Sequence, residues 1–215
     1  MMEENNNKVT SCLMLAANLS TPISLKSIFD EEDLKDTGIE YDSHITVLYA
    51  PEKYLNKTIL TQSIAELNPT FLDYLHDHSD ADDWSVPVLD LFDLGNFEND
   101  SGYVVLKLKK DNMWFNELSK LNKGLMKEFN VESAFKEYTP HLTLAEVNPG
   151  ATGKYLKSES LRLMLEHSTV HFEDFILSYS EPGVKEYDVH NLTTNCAVDR
   201  FFRIRELKKE TFEEL

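Results

Sequence analysis

The chain has 215 residues, 41% hydrophobic and 27% charged, enough for one large domain or two small lobes around a buried core. Its formal net charge of -17 excludes broad, sequence-independent binding to long nucleic acid, which needs basic surface to displace counterions. It leaves open a small anionic ligand in a locally positive pocket, because salt screens surface charges beyond about 8–10 Å. No apolar run is long enough to span a bilayer. Met1 to Lys8 is polar and lacks the apolar stretch of a secretion signal. Two cysteines, Cys12 and Cys196, make no disulfide framework, so a reducing cytoplasm is the expected compartment.

Val9 to Leu19 reads as a first strand, and the acidic stretch Ile23 to Lys35 as a short helix. Ser43 to Ala50 is rich in strand formers and is stopped by Pro51. Helical period follows at Leu60, Ile64 and Leu67, and Asn68-Pro69 reads as a helix restart with Asn68 as N-cap. Asp77 to Asp83 is an acidic loop. Val86 to Phe97 and Tyr103 to Lys109 are predicted strands joined by a hairpin turn at Asn99-Asp100-Ser101-Gly102. Asp111 or Asn112 caps a helix with Phe115, Leu118, Leu125 and Phe129 at helical spacing. Pro140 to Val147 is a strand broken by Asn148-Pro149-Gly150. Ser158 caps a helix running to His167, and strands are expected at Thr169 to Tyr179, Tyr187 to Thr193 and Phe201 to Leu207. Residues 208–215 read as a frayed tail.

One short segment occurs twice, as Ser43-His44-Ile45-Thr46-Val47 and Pro140-His141-Leu142-Thr143-Leu144. Strand side chains alternate, so each copy puts an imidazole and a hydroxyl on one face, about 7 Å apart, and two aliphatic chains on the other. A single His-aliphatic-Thr is more often structural than catalytic. Two copies in the same strand context point to chemistry. Two imidazoles and two hydroxyls converging on a cleft suit phosphoryl transfer without a metal. Histidine titrates near neutral pH, so one copy can accept a proton while the other donates one. Threonine hydroxyls can donate to the non-bridging phosphoryl oxygens.

These segments resemble the paired His-x-Thr/Ser-x signatures of the 2H phosphoesterase superfamily, whose members include LigT-like and eukaryotic cyclic phosphodiesterases, 2′,5′-phosphodiesterases and phage nucleases of cyclic-oligonucleotide immune signals. The resemblance implies a bilobal α+β fold over residues 1–215, with two pseudo-symmetric antiparallel sheet lobes and flanking helices around a central cleft. It implies His44 and His141 as the catalytic pair and Thr46 and Thr143 as substrate-binding residues, with no metal and no cofactor. The step from His44 to His141 is longer than in compact members, and the excess is assigned to 68–83. The expected activity is a metal-independent phosphodiesterase acting on a small nucleotide or short oligonucleotide: a 2′,3′-cyclic phosphate, a 2′–5′ linkage or a cyclic oligonucleotide. No long nucleic acid and no membrane are expected as partners, and the oligomeric state stays open. The alternative is a non-catalytic module that sequesters a nucleotide in the same cleft; turnover separates the two.

Other groups rank lower. His76 and His78 among Asp73, Asp77, Asp80, Asp82 and Asp83 lack the ordered spacing of a metal loop and read as a solvated acidic loop. Gly150 to Tyr155 has too few residues between its glycines, and no Ser/Thr after the lysine, for a phosphate loop; Lys154 and the N–H groups beside it are placed to touch a substrate phosphate, but a plain surface loop is the better reading. Trp84, Trp114, Tyr103 and Tyr179 are of a type that stacks on bases but sit at core spacings. His167, His171 and His190 belong to no recurring pattern.

Overall fold

The computed structural model describes residues 9–69, 85–132, 137–180 and 187–192. Strand β1 (Thr10–Ser20) is central, and both of its faces are covered. Leu13, Leu15 and Ala17 enter the main core, whereas Met14 and Ala16 pack with Ile176 and Cys12 on the opposite face. β1 pairs antiparallel with β3 (His44–Ala50) on one side and β8 (Thr169–Ser180) on the other. β4 (Val86–Pro87) and β9 (Tyr187–Asn191) add to β8. A second arm is built by β5 (Phe92–Glu98), β6 (Gly102–Leu108) and β7 (His141–Val147), with β2 (Leu34–Ile39) against β7. The described residues thus hold one antiparallel nine-stranded sheet in a mixed α+β fold. The two arms meet at one backbone pair, Ile45 with Leu142.

Helices cover the face opposite the motif side chains. α1 (Lys57–Leu67) starts where the Asn56 side chain accepts from the Ile59 N–H, and buries Leu60 and Ile64. α3 (Met113–Glu128) starts where Asn112 accepts from the Trp114 N–H at 2.9 Å. It buries Trp114, Leu118, Leu121 and Leu125, a stripe at three- and four-residue steps. Asn122 lies on the same buried side, and its amide donates to the Val47 carbonyl at 2.7 Å. Val47 is the extra residue of a bulge: Leu13 pairs with Leu48 and Met14 already with Thr46. Asn122 therefore satisfies a carbonyl that the ladder leaves over, and ties α3 to the strand carrying the first motif.

Several expectations change. Ile23 to Lys35 is not a helix but two 3-10 turns, Leu25–Ser27 and Glu31–Asp33, leading into β2. Tertiary contacts hold that shape: Lys154 pairs with Asp30 and Asp33, and the Tyr155 hydroxyl donates to Asp33 at 2.7 Å. Val86 to Phe97 is not one strand. It divides into β4, the one-turn α2 (Val88–Leu91) and β5. Val88 and Leu91 are both buried at a three-residue step, a spacing that strand alternation cannot reproduce. Asn68 closes α1, its N–H bonding to the Ile64 carbonyl, and Pro69 is helical again, as the expected restart has it; the residues after it lie outside the described ones. The expected loop after Gly150 (φ +83°) holds a short helix, α4 (Thr152–Leu156), followed by α5 (Glu159–Glu166), which Ser158 caps as expected. The acidic stretch 70–84, Phe201 to Leu207 and the tail 208–215 lie outside the described residues.

Candidate active site

The pair Ile45–Leu142 joins the two predicted motifs directly. Because the strands are antiparallel, the next step on either side sets Thr46 against His141 and His44 against Thr143. All four side chains then share one face. The burial pattern agrees. His44, Thr46, His141 and Thr143 are half-buried, while Ile45, Val47, Leu142 and Leu144 are fully buried on the helix side.

The imidazoles are held alike. His44 Nδ1 lies 2.6 Å from the Asp42 carbonyl, and His141 Nδ1 lies 2.7 Å from the Thr139 carbonyl, in each case two residues back. A carbonyl oxygen only accepts, so both Nδ1 atoms carry hydrogen and Nε2 is the atom that gains and loses a proton. Burial pushes the His141 imidazole below the ordinary histidine range, its bond to the Thr139 carbonyl opposes this, and the nearby charges of His44 and Lys107 push it further down.

Thr46 is held from two sides. The Tyr138 hydroxyl donates to its carbonyl at 3.0 Å, and its side chain hydrogen-bonds Cys12. Burial pushes the Cys12 thiol up to about 11, despite that bond, and pushes the Tyr138 hydroxyl above its usual range, so both stay protonated near neutrality. Cys12, Met14 and Ala16 line the floor beneath the first motif, since they pair with Tyr49, Thr46 and His44. Tyr49 is half-exposed on that same face.

Two residues that sequence reasoning missed stand beside the second motif. Lys107 pairs across the strands with His141. Its ammonium donates to the Asn96 carbonyl at 2.7 Å and lies 4.3 Å over the Phe97 ring. The Phe97 ring meets the His141 ring at 4.8 Å in a T-shaped contact. Alternation along Tyr103, Val105 and Lys107 marks a shared face in the sequence, but only the β6–β7 register shows that this face continues into His141 and Thr143.

The other candidates stand elsewhere. Lys154 is engaged with Asp30 and Asp33, away from the motifs. Trp114 packs on Phe172 in the core, and Tyr179 stacks on Tyr54 at 4.9 Å. The Tyr103 hydroxyl donates to Glu146. His167 closes α5 and His171 lies on β8. His76, His78 and Trp84 lie outside the described residues, as does the His190 side chain. Among the described residues, no three His, Cys, Asp or Glu side chains are grouped to hold a metal ion. A shallow depression lined by Leu19, Ser24, Glu40 and Tyr41 reaches Ser43 but contains neither motif histidine.

No protein-family model matches the chain, and no curated protein matches it. Among solved structures, Kluyveromyces marxianus Usb1 aligns over 87% of this chain and 99% of its own, at 11% identity and a TM-score of 0.43. Escherichia coli LigT complexed with 3′-AMP aligns over 83% of this chain and 95% of its own, at 12% identity and a TM-score of 0.41. The complex of K. marxianus Usb1 with uridine monophosphate aligns over 88% and 100%, at 11% identity and a TM-score of 0.40.

Proposed function

We propose that this chain is a metal-independent phosphodiesterase of the two-histidine type, acting on a small nucleotide phosphodiester. One observation carries the reading: two imidazoles, each fixed through Nδ1 to the carbonyl two residues back, share a face across the Ile45–Leu142 pair. A purely structural pair has no reason to repeat both the tautomer and the placement.

In the proposed reaction, Nε2 of one histidine takes the proton from an attacking hydroxyl or water as its oxygen bonds to phosphorus. Nε2–H of the other protonates the leaving oxygen as its bond to phosphorus breaks. Thr46 and Thr143 donate to the non-bridging oxygens, where charge develops. His141 serves as the base, because its surroundings disfavour a bound proton. His44 then serves as the acid. The substrate set is a 2′,3′-cyclic phosphate, a 2′–5′ linkage or a cyclic oligonucleotide.

The test is turnover of a panel of such nucleotides in excess EDTA. We expect activity to persist, and His44→Ala and His141→Ala each to lower kcat by about 10²–10⁴-fold, the usual size of an acid or base contribution. Turnover abolished by EDTA and restored by a divalent ion would overturn the reading, as would near-normal turnover in either variant.

A further inference from the structure

Acidic side chains outnumber Lys and Arg by 38 to 21 in this chain. Several of its other described lysines are occupied in structure. Lys154 pairs with Asp30 and Asp33, Lys110 with Glu137, and Lys53 holds the carbonyls of Phe129 and Asn130 at the end of α3. Lys107 differs. It sits on the motif face, paired across β6–β7 with His141, and makes no ion pair among the described residues. Asp93, its partner on β5, is exposed and forms no ion pair with it. Gly95 makes room for the lysine: a Cβ there would meet the Lys107 side chain at 3.0 Å.

The ammonium is also held in place. The Asn96 carbonyl takes one hydrogen and the Phe97 ring lies beneath it, leaving N–H donors for another partner. Phe97 stands between this charge and the His141 ring, through contacts of 4.3 Å and 4.8 Å in series. A cation kept beside His141 works against its protonation, so the arrangement makes sense where an anion arrives to offset it.

We propose that Lys107, aligned by Asn96 and Phe97, is an anion subsite on the His141 side of the cleft that takes a second phosphate of the substrate, one nucleotide away from the reacting phosphate. This rests on the proposed function and narrows it: the substrate is an oligonucleotide, linear or cyclic, rather than a lone mononucleotide cyclic phosphate. The gain is a charge-assisted hydrogen bond to a phosphate oxygen.

The experiment measures binding rather than turnover, so it stands apart from the test of the two-histidine mechanism. Calorimetry compares adenosine 3′-monophosphate with adenosine 3′,5′-bisphosphate on the wild type, Lys107→Gln, Lys107→Arg and Lys120→Gln, the last removing an equal charge from the exposed side of α3. We expect the second phosphate to tighten binding to the wild type about 10–100-fold, the usual size of a hydrogen bond between charged groups. Lys107→Gln should reduce that ratio to within about 2-fold, while Lys107→Arg and Lys120→Gln keep most of it. A wild-type ratio near one, or a full ratio in Lys107→Gln, would mean that Lys107 only caps the Asn96 carbonyl, and would overturn the proposal. Thermal melting of each variant checks folding, and a retained ratio in Lys107→Arg separates lost charge from lost structure.

Discussion

His141 stands among the Thr139 carbonyl, the Phe97 ring, Thr46 across the strand pair, and the charges of His44 and Lys107. Burial and the two cations all disfavour its protonated form. In the proposed reaction His141 is the base and must be neutral to act, so its proton affinity sets the acid limb of kcat/KM. Lys107→Gln removes one of the charges opposing protonation. His141 then keeps its proton to higher pH, and the acid limb moves up the pH axis. Thr46→Ala and Thr143→Ala remove hydroxyl donors but no titrating group, so the rate should fall while both limbs stay in place. Profiles of kcat/KM from about pH 5 to pH 9 bracket the reference histidine value. A limb that moved down in Lys107→Gln would show that His141 is not the base. Limbs lost in the Thr variants would show that the hydroxyls do more than hold phosphate.

At the scale of elements, the motif strands were legible because alternation is a local property. His44/Thr46 and His141/Thr143 had to share faces once their segments were extended. The local signal failed where two periods overlap or a partner is distant. Val88-Leu89-Asp90-Leu91 fits strand alternation and a helical turn alike, and the turn wins because Val88 and Leu91 are buried together. β2 was missed because its pairing with β7 is broken by an irregularity between Leu34 and Ile39, with Gly38 at φ +60°. Lys107 was visible as a residue of the second hairpin strand, but its meaning depends on the register of β6 against β7. That hairpin carries its own constraint. Gly102 opens β6 opposite Val147, and a Cβ there would meet Thr152 Cγ2 at 2.7 Å and both the Asn148 carbonyl and a Val147 methyl at 3.2 Å. Thr152 cannot easily yield, because its hydroxyl bonds Glu98 and the Asn96 amide. Gly102→Ala should therefore destabilise the fold by about 1–3 kcal/mol, as overpacking does. Denaturant unfolding checks this, and an unchanged midpoint would show that α4 shifts freely.

Across the whole molecule, the two arms of the sheet contribute one histidine and one threonine each, and the Ile45–Leu142 pair is where they meet. β3 then parts from β7, and the Tyr138 hydroxyl takes over the Thr46 carbonyl. Each arm carries one imidazole on that face, so neither arm alone holds both. This separates a catalytic reading from a binding one through additivity. If His44 and His141 act as base and acid in a single displacement, removing either disables the step that needs both. The double variant His44→Ala/His141→Ala should then lose little more kcat than the worse single variant, because catalytic groups that work as a unit are strongly non-additive. If each histidine merely contributes a separate contact to a bound nucleotide, the two losses should multiply, as for independent sites. The four kcat values are measured under single-turnover conditions on one substrate, so that product release does not mask the chemical step. A double variant whose loss equals the product of the single losses would remove the two-histidine displacement and leave His44 and His141 as independent binding groups.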